Sequence, residues 1–130
     1  MKYLFVLMSL LILASCGGGT NVEIGNKTTM EVETVFDAGD VLKGEVITAK
    51  FTITNTGEYP LVIGEVKGSC SCTVAEYPEE PIQPGQSGKV LAHVNTEKVG
   101  AGPLNKSVRI VANTNPSITQ VIVKANVIRR

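Results

Sequence analysis

Val46-Ile-Thr-Ala-Lys-Phe-Thr-Ile-Thr-Asn55 alternates without a break. Ile47, Ala49, Phe51 and Ile53 share one side of an extended chain, and Val46, Thr48, Lys50, Thr52 and Thr54 share the other. A period of two with one dry face is a half-buried strand. A helix would scatter the same residues around its circumference. The residues that follow, Asn55-Thr-Gly-Glu-Tyr-Pro60, read as a turn in which Gly57 can take a positive φ at little cost.

The same pattern continues in both directions. Upstream, Val32, Thr34 and Phe36 begin a short strand that Asp37-Ala-Gly-Asp40 ends. Downstream, residues 61–66 and 69–75 read as two more strands, and residues 77–85 as a Pro-rich loop. Pro84-Gly85 suits the two central positions of a type II turn. Val90, Ala92 and Val94 mark a fifth inward face, Val108, Ile110 and Ala112 a sixth, and Val121, Val123, Ala125 and Val127 a seventh. Residues 100–103 and 113–116 turn the chain between them. About seven short strands spaced by turn signals predict an all-β protein with an immunoglobulin-like sandwich. Composition agrees: from Cys16 onward, 16 Val, 9 Ile and 12 Thr make 37 β-branched residues in 115. Such side chains lose χ1 freedom in helices and pack well on pleated sheets.

The first 15 residues differ. They hold five of the nine leucines and 12 of the 56 apolar residues. Lys2 precedes an apolar run, residues 3–13, broken only by Ser9. A helix needs about 20 apolar residues to span a bilayer, so this run has the length of a signal-peptide core instead. It ends in Leu13-Ala-Ser-Cys16, which resembles the bacterial lipobox. The resemblance implies a signal peptide over residues 1–15 cut before Cys16, diacylglycerol on the Cys16 sulfur and a fatty-acylated new N-terminus. Several acyl chains make a firm anchor, since each buried CH₂ contributes about 0.8 kcal/mol. Gly rather than Asp at position 17 implies, by the same resemblance, an outer-membrane destination, and the lack of an acidic cluster after Cys16 favours its periplasmic face. Residues 16–30 sustain neither period and read as a Gly-rich tether with a root-mean-square span of roughly 20 Å, leaving 31–130 as the folded domain.

Several segments in order carry a further resemblance. They are Phe36-Asp-Ala-Gly, Phe51-Thr-Ile-Thr-Asn-Thr-Gly, Pro60-Leu-Val-Ile, Ser69-Cys-Ser-Cys-Thr-Val-Ala-Glu-Tyr-Pro, Pro81-Ile-Gln-Pro-Gly and Lys106-Ser-Val-Arg-Ile-Val-Ala-Asn. Together, from Phe36 to Val127, they resemble the bacterial envelope family called domain of unknown function 1573. The resemblance implies an Ig-like fold of the kind seen in major-sperm-protein-related and Hydin-type domains, and no settled activity. The family's usual form has Gly between the two cysteines, where this chain has Ser71.

Cys70-Ser71-Cys72 is the constellation most open to chemistry. In a flat strand residues i and i+2 face the same way about 6.6 Å apart, at the long limit for a disulfide, so a bridge requires a bend. Gly68 offers a place for one. Three readings stand: a structural thiol pair or local disulfide, a redox pair, and a soft metal site. Against redox, the flanking residues Gly68, Ser69, Ser71, Thr73 and Val74 supply no cation to form a thiolate, and strand parity aims Lys67 at the other face. Zinc wants four ligands, and only His93 and Met30 offer themselves as additions, so Cu(I) on two thiolates is the best metal case. His93 alternates with Ala92 and Val94 and should face away from the core. Glu79-Glu80 reads as a solvated loop with too few oxygens for calcium.

Twelve basic and twelve acidic residues leave a net charge of zero and no long-range field for nucleic acid. With one His and no Trp, no catalytic residue, metal ligand, cofactor or small-molecule substrate is assigned. The expectation is a non-enzymatic binding or scaffolding module, held to the membrane by lipid on Cys16, with an envelope protein as partner. The alternative is a periplasmic thiol-redox or copper-handling protein working through Cys70 and Cys72.

Overall fold

The structure is a computed structural model and describes residues 25–129. Residues 1–15, Cys16 and residues 17–24 of the tether lie outside the described residues. Eight strands follow one another: β1 Met30–Val32, β2 Val35–Leu42, β3 Val46–Asn55, β4 Ile63–Gly68, β5 Thr73–Glu76, β6 Ser87–Asn95, β7 Gly102–Ala112 and β8 Ile118–Ile128. One 3-10 turn, Thr96–Lys98, links β6 to β7. The strands form two four-stranded sheets, β1-β3-β6-β5 and β2-β8-β7-β4. All pairs are antiparallel except β2 with β8.

The inward rows face each other across the sandwich. Ile47, Ala49, Phe51 and Ile53 of β3 and Val90, Ala92 and Val94 of β6 come from one sheet. Val108 and Ile110 of β7 and Val121, Val123 and Val127 of β8 come from the other. Every second residue is buried along β3, from Val90 to Val94 in β6 and from Val121 to Val127 in β8, so the alternation in the sequence is the alternation across the sheet.

The architecture is the all-β sandwich expected, with eight strands rather than about seven. The expected first strand is two. Residues 33–34 carry the chain from one sheet to the other, so β1 pairs with β3 while β2 pairs with β8. Asp37-Ala-Gly-Asp40 does not end a strand. It is a bulge inside β2, where the register shifts between Asp37 and Asp40, Gly39 takes a φ of 67°, and the Asp37 carboxylate accepts the Gly39 N–H. Residues 69–72 are a turn rather than strand, and Leu61 meets Ile82 in an isolated bridge ahead of β4. β7 begins at Gly102, inside the expected turn.

The fold also reaches upstream of residue 31. Thr28 is buried, bridges Thr114, donates its backbone N–H to Asn113 O and bonds Asn55 through its side chain. The Pro84-Gly85 turn is as expected: Gly85 has a φ of 79° and Gln86 N–H closes on Gln83 O. Gly57, by contrast, is not among the glycines with positive φ. Its reason is space, because a Cβ there would lie 2.0 Å from Thr28 Oγ1 and 2.7 Å from the Thr29 nitrogen.

Strand directions give the molecule two distinct ends. Thr28 lies at one, with the 55–60 and 113–117 turns. The 43–45 turn, the cysteine turn and the end of β8 lie at the other. β3 spans this length, about 30 Å for ten extended residues.

Candidate functional site

Three features stand out from the core. The first is the turn between β4 and β5, where the chain changes sheets. Ser69 N–H donates to Ser107 O, Thr73 N–H to Cys70 O, and Asn95 N–H to Cys72 O. This reversal brings the Cys70 and Cys72 Cα atoms to 5.3 Å, and their sulfurs are joined in a disulfide. The bend the bridge requires is therefore present. Gly68 permits it by close packing: a Cβ there would sit 2.5 Å from the Cβ of Thr73. Ser71 stands where the family has Gly without conflict, since no described non-glycine residue takes a positive φ. Cys72 is buried and Cys70 half-buried against the core, with Thr73 Oγ1 3.7 Å from the Cys70 sulfur and 3.8 Å from that of Cys72.

The second is a polar row on the outer face of the β1-β3-β6-β5 sheet. His93 of β6 stands between Thr48 of β3 and Val74 of β5. Its Nδ1 lies 3.2 Å from Thr48 Oγ1 and its Nε2 lies 3.3 Å from Glu76 Oε2. A hydroxyl, an imidazole and a carboxylate in line resemble the order of a hydrolytic triad. Acyl transfer also needs converging donors for the oxyanion and a cleft that excludes water. This row lies on an open sheet, with 30% of the His93 and 66% of the Glu76 side chain exposed. It is a cross-strand network that holds β6 to both neighbours.

The third is the free edge of β3. Among the described residues, β1 pairs only with Ile53, Thr54 and Asn55, so the rest of β3 has a strand partner on the β6 side alone. Asn55 donates its backbone N–H to Gln86 O and accepts from Gly85 N–H, on the β6 side, whereas Thr56 N–H goes to Thr29 O, on the β1 side. Backbone direction alternates along an antiparallel strand. Val46, Thr48 and Lys50 therefore point their N–H and C=O groups to the side that carries no strand. Beside this edge, where β1 passes into β2, an open groove of about 810 Å³ has Val32, Phe36 and Phe51 along its floor and Glu31, Glu33 and Lys50 at its rim.

The expected site residues are dispersed among these features. Cys16 lies outside the described residues. Cys70 and Cys72 meet each other, but neither His93 nor Met30 joins them. Among the described residues no three His, Cys, Asp or Glu side chains converge as a metal site. Met30 pairs with Asn55 at the far end of β3 from the cysteine turn, and His93 faces outward as expected. Glu79 and Glu80 are exposed in their loop. The partners of His93, Thr48 and Glu76, had no signal in the sequence. They depend on the register of β6 against β3 and β5, which local patterning does not specify.

A family model described as protein of unknown function (DUF1573) matches residues 28–127. No curated protein matches the chain. Among solved structures, a protein of unknown function from Porphyromonas gingivalis W83 aligns at a TM-score of 0.70 with 24% identity. That alignment covers 78% of this chain and 48% of the other, so this chain spans about half the length of that neighbour. PapD-like domain 7 of human CEP192 aligns at 0.63 with 9% identity over 80% of this chain and 88% of that one. The secreted serine protease VesC of Vibrio cholerae aligns at 0.60 with 15% identity, over 77% of this chain but 23% of that one. At these identities the likeness is one of fold.

Proposed function

The chain belongs to the DUF1573 family of proteins of unknown function, and we propose that it is a lipid-anchored envelope protein whose Ig-like domain is a non-enzymatic binding module that takes a strand onto the free edge of β3. The observation that carries this reading is the unpaired stretch of β3. Val46, Thr48 and Lys50 offer three N–H and three C=O groups in a straight, exposed run. Such a row is a template for an added strand, and main-chain hydrogen bonds then supply affinity. Lipid on Cys16 supports the envelope location through the Leu13-Ala14-Ser15-Cys16 signal. Nothing beside the Cys70–Cys72 pair itself favours the thiol-redox or copper reading: the flanking residues supply no cation to stabilise a thiolate, and among the described residues no cluster of three metal-binding side chains forms.

Two measurements test the proposal. Intact-mass analysis of the membrane-extracted protein should give a chain that begins at an acylated Cys16. An unmodified chain beginning elsewhere refutes the anchor. A photoreactive residue at position 48 should give covalent adducts in intact envelopes, and the same residue at position 40, on the bulged β2 edge, should give few. Equal or absent adducts at both positions refute the binding edge.

A further inference from the structure

We infer that the strand added to β3 is the β3 of a second copy of this chain, antiparallel and related by a two-fold axis at Thr48. The inference rests on the binding-edge reading and adds the identity of the occupant.

The other sheet edges are blunted. β1 has three residues. β5 has four, between the bridged turn and Pro78. β2 carries the Gly39 bulge between two exposed carboxylates, Asp37 and Asp40. β4 has a register shift between Ile63 and Glu65 and carries two exposed charges, Glu65 and Lys67. Bulges, short strands and edge charges are how sheets avoid unwanted pairing. The β3 edge has no bulge and one charge, Lys50.

That edge is complementary to itself. An antiparallel pair centred on Thr48 sets Thr48 against Thr48 and Val46 against Lys50, twice. All three residues on each side then meet with outward-pointing backbone groups, so the hydrogen bonds of an ordinary ladder can form. Thr–Thr is a favourable cross-strand pair, and no like charges face each other. Val46, 57% exposed, would lie along the methylene stem of the opposite Lys50. Because the whole chain carries no net charge, no long-range repulsion opposes the approach of two copies. An arbitrary strand would match the backbone groups but would not relieve Val46 and accommodate Lys50 together.

The test is sedimentation equilibrium of the full chain in detergent over a concentration series, with substitutions at the exposed position 46. The wild-type chain should show a reversible monomer–dimer equilibrium. Val46→Glu places a carboxylate opposite Lys50 at two symmetric sites and should tighten the dimer about 2- to 30-fold; Val46→Lys should weaken it by a similar factor. Thr48→Pro removes an outward N–H that β6 does not use and should abolish the dimer. A chain that stays monomeric at every concentration overturns the inference. So does a dimer whose dissociation constant is the same with Glu, Lys or Val at position 46. Adducts from position 48 with another protein, in a chain that sediments as a monomer, would overturn self-pairing while leaving the binding edge itself in place.

Discussion

Asn55 closes an inward row of apolar residues and is fully buried. Its side chain has four partners. Oδ1 accepts from Thr28 Oγ1 at 2.8 Å and from Gly57 N–H at 3.0 Å, and Nδ2 donates to Tyr59 O at 2.7 Å and to Ile82 O at 2.9 Å. One amide thus ties the residues before β1, the turn after β3 and the loop before β6. Asn55→Ala would leave those groups short of partners in a dry setting and should cost about 2 to 4 kcal/mol, read by urea denaturation. A loss near zero would mean that water replaces the amide at no penalty. The sequence marks Asn55 only as the point where a strand gives way to a turn, because its partners are up to 27 residues away. Gly57 is illegible for the same reason: its constraint is Thr28, on another segment, rather than its own backbone angle.

Among the elements, β3 was legible because all its residues obey one period and its inward row contains the largest apolar side chains. Phe51 is 2% exposed and meets Phe36 of β2 edge to face at 6.3 Å, joining the two sheets where the chain crosses between them. Phe51→Ala should cost about 3 to 5 kcal/mol, and far-UV circular dichroism of the parent should show β structure without substantial helix. A variant as stable as the parent would contradict the packing. The alternation merges β1 and β2 because a strand that changes sheets keeps its alternation while its partner changes. The bulge reads as an end because Asp-Ala-Gly-Asp has turn composition whether or not pairing resumes beyond it. The turn at Cys70–Cys72 reads as strand for the opposite reason, since Thr73 and Val74 give a β-prone composition to residues whose conformation the sheet change decides. Closing so short a loop constrains few unfolded conformations, so replacing both cysteines with Ser should lower stability by only about 1 to 3 kcal/mol. Thermal unfolding of the double variant checks this, and loss of folding altogether would show a larger role.

At the scale of the whole molecule, the two ends have different connections. Thr28 leads back toward the tether, and the bridged turn lies at the opposite end, roughly 30 Å away. In the antiparallel pair inferred for β3, the two chains would leave from opposite ends of an eight-stranded sheet. If Cys16 carries lipid as proposed, residues 17–24, at most about 3.6 Å each, would let both anchors reach one bilayer with the pair lying flat on it. Where the domain begins then becomes a measurable question. Periodicity marks the boundary at residue 31, since no pattern precedes it; burial and hydrogen bonding place Thr28 and Met30 inside the fold. A chain starting at residue 25 should match the full chain in denaturant midpoint, because the described contacts all lie within it. A chain starting at residue 33 loses β1, the Thr28–Asn55 bond and the cover that Met30 and Val32 give the core, and should be less stable by about 2 to 4 kcal/mol. In a pair centred on Thr48 the residues that truncation uncovers, Ile53 to Asn55, fall opposite residues 41–43, outside β3, so the shortened chain should associate no more strongly even as it becomes less stable. Matched stabilities for the two truncations would place the boundary at residue 33 and show that β1 contributes nothing. Altered association of the shorter chain, stronger or weaker, would mean that the contact extends to the end of β3 that β1 covers and is not centred on Thr48.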